Sequence, residues 1–128
     1  MIGIDTNILV RAYLEDHPAQ AKEAQLIISN AAKAGQLFIS SYALLEFAWV
    51  LKVKGYDRQE IYEAIMTITD SAGVIVGQRT VVLRALEKYV SGKADFGDYM
   101  IMAEGEKNKS YELKTFDKQF DKELVIRK

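Results

Sequence analysis

Ile2-Gly3-Ile4-Asp5-Thr6-Asn7-Ile8-Leu9-Val10 changes backbone period within a few residues. The apolar triplet at its start reads as a short strand. Asp5-Thr6-Asn7 then supplies side chains that accept hydrogen bonds from the free N–H groups of a helix start, so Thr6 or Asn7 is expected to cap a helix over roughly Ile8 to Leu14. A strand that runs through an acid straight into a helix is the opening of an α/β fold.

The rest of the chain repeats that alternation. Pro18 suits a first helical turn, and Ala19 to Ala34 reads as a helix closed by Gly35. Leu37-Phe38-Ile39 is the second strand. Ser40 or Ser41 caps an apolar helix from Tyr42 to Val53, and Asp57 with Glu60 forms a capping-box pattern for a helix reaching Thr69. Gly73 and Gly77 bracket the strand Val74-Ile75-Val76. Helices are expected from Thr80 to Val90 and from Asp95 or Gly97 to Lys107. Tyr111 to Thr115 is expected as a strand, Phe116 to Phe120 as a turn, and Leu124-Val125-Ile126 as a last edge strand. Short apolar strands alternating with helices predict a parallel sheet covered on both faces.

Composition limits the function. A chain of 128 residues with 49% apolar residues predicts a single domain over residues 1–128. Apolar stretches run to only a few residues, far short of the roughly 20 that span a bilayer. Met1 to Asp5 lacks the basic region of a secretion signal, and Cys is absent. The expectation is a soluble cytoplasmic protein. The net charge of −1 gives no general attraction to nucleic acid, but bound divalent cations can reverse the sign locally at an acidic site.

In parallel α/β sheets the active site lies outside the carboxyl ends of the strands. Asp5 follows the first strand, and Asp117 follows the strand expected to end near Thr115. Glu46 lies in the helix after the second strand among Leu44, Leu45, Phe47 and Ala48, where burying a charge requires a partner. Asp95 and Asp98 open the helix before the fourth strand. Carboxylates from four segments gathered at one edge repel one another unless protonated or holding a cation. With no Cys and a single His, His17, beside Pro18 in a polar loop, such oxygen donors suit Mg²⁺ or Mn²⁺. Asp95 and Asp98 also have the spacing of a capping pair, and either can be the acid of that segment. Arg11, Lys93 and Lys118 lie near these segments and are candidates for phosphate contact. Asp121 and Glu123 read as solvated acids, and the apolar stripe around Trp49 as core or a subunit interface.

Four strings, Gly3-Ile4-Asp5-Thr6-Asn7-Ile8-Leu9-Val10, Ala43-Leu44-Leu45-Glu46-Phe47-Ala48-Trp49-Val50-Leu51, Ala94-Asp95-Phe96-Gly97-Asp98-Tyr99-Met100-Ile101 and Leu113-Lys114-Thr115-Phe116-Asp117-Lys118-Gln119-Phe120, in this order, resemble the motifs of PIN-domain ribonucleases, in particular VapC-type toxins. The resemblance implies a three-layer α/β/α sandwich around a central parallel sheet and a Mg²⁺- or Mn²⁺-dependent endoribonuclease. Asp5, Glu46, Asp98 and Asp117 match its acidic metal positions, with Asp95 as a further candidate ligand. Thr6 and Thr115 match supporting hydroxyls, and Asn7 orients the first motif. Gly97 and Tyr99 stand where smaller or alanine-like residues are commoner. By the same resemblance the products carry a 5′-phosphate and a 3′-hydroxyl, a small antitoxin blocks the site, and the chain forms a homodimer. Alternatives are an RNA-processing nuclease without an antitoxin and a catalytically silent RNA- or protein-binding module. A haloacid-dehalogenase-like phosphatase needs a second Asp where Asn7 stands. A receiver domain needs an acid after its central strand, where Gly77-Gln78 follows Val76.

Overall fold

The computed structural model describes residues 1–126. Among them run β1 (Ile2–Ile4), α1 (Thr6–Leu14), α2 (Pro18–Lys33), β2 (Leu37–Ile39), α3 (Ser41–Val53), α4 (Arg58–Thr69), β3 (Val74–Val76), α5 (Arg79–Tyr89), α6 (Phe96–Lys107) and α7 (Lys118–Ile126). They gather into two compact units, one over Met1–Arg79 and one from Thr80 onward.

The first unit holds the sheet. Its strands are parallel in the order β1-β2-β3, with Gly3 opposite Phe38 and Phe38 opposite Ile75. Three-residue strands contribute few ladder bonds, so burial must hold them. Leu37 and Ile39 of the middle strand are almost completely buried. Because the strands are parallel, their carboxyl ends share one edge, from which Asp5, Ser40 and Gly77 lead away. The turn into β3 depends on Gly73. Its φ is +79°, and a Cβ there would overlap the Ala32 carbonyl, so any side chain meets both backbone strain and a clash.

Capping sets where the helices begin. Asp5, in extended conformation, caps α1 by accepting from Ile8 N–H at 3.2 Å. The cap is thus one residue earlier than Thr6 and two earlier than Asn7, and the acid itself supplies it. Pro18 occupies the first turn of α2, where its missing N–H is not needed. The Ser40 hydroxyl accepts from Tyr42 N–H at 3.1 Å to start α3. Asp57 and Glu60 form the expected capping box, with bonds of 2.8 and 2.9 Å.

α1 packs on α2 and α3, and α3 packs on α4. α3 has two apolar faces. Leu44, Phe47, Ala48 and Leu51 are buried, whereas Tyr42, Trp49 and Val53 are more than 60% exposed. The expectation that Trp49 belongs to the core is therefore corrected. Apolar residues occur all round this helix, and composition alone does not say which of them face inward.

The second unit consists of α5, α6 and α7. Fully buried Tyr99 packs edge-on against Tyr89 of α5 and Phe120 of α7, with ring centroids 6.3 and 5.7 Å apart. Arg84 of α5 donates through Nε to Glu106 of α6 at 2.9 Å. That hydrogen bond is the main reason the guanidinium pKa lies above its ordinary value, against the opposing pull of partial burial.

Two expected strands are absent here. Tyr111 to Thr115 is irregular. Glu112 and Lys114 are exposed and pair with each other at 2.6 Å, and of the apolar residues only Leu113 is half-shielded, which leaves little to hold a strand in place. Residues 124–126 belong to α7. The deciding period is that of Phe120 and Leu124, both buried and one helical turn apart, which outweighs the local β-branched run.

Candidate active site

The first motif lies at the carboxyl edge of the sheet. Asp5 is exposed, and its Oδ1 engages the start of α1. The next residue, Thr6, donates through its hydroxyl to Glu46 Oε1 at 2.9 Å, a bond between residues 40 positions apart. The first and second motifs therefore meet within one unit. Glu46 is exposed rather than enclosed by its apolar neighbours. Its partner is a hydroxyl, which leaves its negative charge intact and fixes one oxygen. Asn7 is exposed on the first turn of α1.

The third and fourth motifs belong to the second unit. Asp95 is the N-cap of α6, and Asp98 lies one turn in. The Asp98 Oδ2 accepts from the Asp95 N–H at 3.2 Å, and Asp98 N–H donates to the Asp95 carbonyl at 3.0 Å. Asp98 is half-buried and Asp95 exposed. Asp117 caps α7 by accepting from the N–H groups of Gln119 and Phe120, both at 3.0 Å, and its own N–H donates to the Thr115 hydroxyl at 3.1 Å. Thr115 thus holds the Asp117 backbone, whereas Thr6 donates to the Glu46 carboxylate itself.

The structure joins Thr6 with Glu46, Asp95 with Asp98, and Thr115 with Asp117. Among the described residues no group of three or more His, Cys, Asp or Glu side chains is drawn together as a metal-holding cluster. A shallow depression of about 400 Å³ on the first unit is lined by Tyr13, Glu60, Glu63, Ala64, Thr67 and Ile68, and by none of the motif acids. Burial, then Tyr56 and the two glutamates, raise the Tyr13 pKa, so that phenol stays protonated.

The PIN domain family matches residues 2–122 of the chain. The chain belongs to the PIN-domain family. The α/β sandwich of PIN type expected from the sequence is its fold class. PIN domains are in general metal-dependent nucleases acting on RNA. No match was found among curated proteins or among solved structures. Among the described residues no helix is long and apolar enough to cross a membrane.

The donor chemistry fits a PIN-type metal. The four motif acids offer only hard carboxylate oxygens, and one oxygen of each is engaged by a hydrogen bond: Oδ1 of Asp5 and Asp117, Oε1 of Glu46, Oδ2 of Asp98. Mg²⁺ and Mn²⁺ take such donors, which a thiolate- or imidazole-seeking ion would not favour. Three residues of this PIN domain carry more than the sequence disclosed. Glu123 is not a solvated acid but accepts from Tyr99 and from Lys93 N–H. Tyr99 is the centre of the second unit's aromatic packing. Phe116 is fully exposed directly before Asp117. Sequence reasoning singled out neither Phe116, read only as part of a turn, nor the Glu123 contacts, which join residues 24 and 30 positions apart.

Proposed function

We propose that this PIN domain is a Mg²⁺- or Mn²⁺-dependent endoribonuclease, the toxin of a toxin–antitoxin pair, with Asp5, Glu46, Asp98 and Asp117 as its metal ligands and Asp95 as a lesser one. The observation that carries the reading is the Thr6–Glu46 hydrogen bond beside Asp5 at the carboxyl edge of the sheet. It links two acidic motifs from distant segments through a neutral donor, which orients a carboxylate without cancelling the charge a cation needs.

A divalent ion held there supplies charge neutralisation at the scissile phosphate and activation of water. The chain's own residues orient the donors. Ile8 N–H holds Asp5, Thr6 holds Glu46, Asp95 N–H holds Asp98, and the first turn of α7 holds Asp117. Exposed Phe116 offers a face on which a base can stack, and exposed Lys118 a charge for phosphate. No nucleophilic side chain is required, in keeping with a chain that lacks Cys. The reading brings with it a small antitoxin, a homodimer and a cytoplasmic setting. The exposed apolar stripe of α3 is the kind of surface a protein partner covers.

The test is cleavage of single-stranded RNA by the purified chain, separated from any co-purifying protein. Cleavage is expected with Mg²⁺ or Mn²⁺ and none with chelator, leaving 5′-phosphate and 3′-hydroxyl ends. Glu46→Gln should remove it, and Phe116→Ala should raise KM with little change in kcat. Equal cleavage by wild type and Glu46→Gln in chelator would sink the metal mechanism.

A further inference from the structure

Tyr99, Glu123 and the loop before α6 form a closed circuit of hydrogen bonds. The Tyr99 hydroxyl accepts from Ala94 N–H at 3.1 Å and donates to Glu123 Oε1. The other oxygen, Oε2, accepts from Lys93 N–H at 3.2 Å. Tyr99 is fully buried, and Glu123 is half-buried on α7. The circuit closes over Gly92, where a Cβ would overlap both the Tyr99 hydroxyl and the Glu123 carboxylate. The loop so held leads directly into Asp95 and the capping turn that contains Asp98. The same α7 begins at Asp117, and its Phe120 donates to Asp117 while packing on Tyr99. Two candidate ligands are thereby tied to one small scaffold by both of Glu123's oxygens.

We propose that Glu123, acting through Tyr99 and the Lys93 N–H, is a positioning residue that fixes the Gly92–Ala94 loop and so sets the geometry of Asp98 for a divalent cation. The inference rests on the reading of Asp98 as a metal ligand. A merely stabilising acid on α7 would not need one oxygen on the loop at Lys93 and the other on the Tyr99 hydroxyl that itself accepts from Ala94 N–H, nor a glycine beneath them. Gln is a poor replacement for Glu123, because its NH₂ would face either the Lys93 N–H or the Tyr99 hydroxyl, and either way one hydrogen loses its acceptor. Asp retains both acceptors on a shorter arm.

The experiment combines residue-resolved amide hydrogen exchange with Mn²⁺ titration on the full chain, for wild type, Glu123→Gln, Glu123→Asp, Tyr99→Phe and Gly92→Ala. In Glu123→Gln, exchange at Lys93 and Ala94 should accelerate while amides of α3 stay as in wild type. Mn²⁺ affinity should fall, by no more than the roughly 10–100-fold typical of groups bonded directly to a metal ligand, with Glu123→Asp recovering part of it. Tyr99→Phe should open Ala94 in the same way. Gly92→Ala should give the same signature with Glu123 and Tyr99 both present, which keeps the test alive if one variant fails to fold. Unchanged exchange at Lys93 and Ala94 in folded Glu123→Gln overturns the circuit. Faster exchange with unchanged Mn²⁺ affinity reduces it to structure alone and overturns the positioning role. A wild-type chain that binds no Mn²⁺ shows instead that the metal-ligand reading fails.

Discussion

Asp98→Asn is expected to abolish metal-dependent cleavage while leaving the fold intact. Asp98 does two jobs that a single substitution can separate. Its Oδ2 accepts the Asp95 N–H, and an Asn carbonyl can do the same, so the start of α6 survives. Its negative charge is what a divalent ion would need, and Asn lacks it. Loss of a direct ligand should exceed the ~10–100-fold effect of losing an outer-shell partner. Asp95→Asn should be milder, because Asp95 is the exposed N-cap of α6 and Asn caps about equally well. The measurements are initial rates on single-stranded RNA with Mn²⁺, alongside melting temperature. An inactive Asp95→Asn with an active Asp98→Asn would exchange the two roles.

The largest expected loss of stability is at Phe47. Its side chain is fully buried on the inner face of α3 and meets Tyr13 edge-on at 5.5 Å. Truncation to Ala should destabilise the protein by about 3–5 kcal/mol. That is a large part of the ~5–15 kcal/mol that holds a typical domain together. Trp49→Ala, two residues further along the same helix, should change stability by no more than about 0.5 kcal/mol, because most of that ring is already in water. Urea midpoints at constant m-value make the comparison. Equal losses at both positions would mean that α3 presents a different face to the core, and Glu46 would then point elsewhere too.

The three strands of the sheet were legible to the residue, because each apolar triplet is followed by an acid, a serine or a glycine that ends it. The starts of α1 to α6 were legible within one or two residues, and the Asp57–Glu60 box outright, since capping is local chemistry, whereas α7 was read as a turn followed by a strand. The misread segments obey longer-range terms. Residues 124–126 look like a strand by composition, but the buried pair Phe120 and Leu124 imposes helical spacing. Tyr111 to Thr115 alternates like a strand, yet carries an exposed ion pair and only one half-shielded apolar side chain. Of the candidate site, the acids and their supporting threonines were readable as motifs. Glu46 was expected to need a partner because of burial; it is exposed, and the partner it has, Thr6, lies 40 positions away. Glu123 looked like any surface acid, because nothing near it in sequence announces Tyr99.

The outward face of α3 gives the protein an optical label of its own. Trp49 is the sole tryptophan in the chain, and it lies mostly in water. Its emission therefore reports one place on the surface, with no buried indole to obscure it. That place is three residues, just under one helical turn, from Glu46 on the same helix. Any molecule that settles over this face should shield the indole and shift its fluorescence to shorter wavelength, so an encounter there can be followed in real time without attaching a dye.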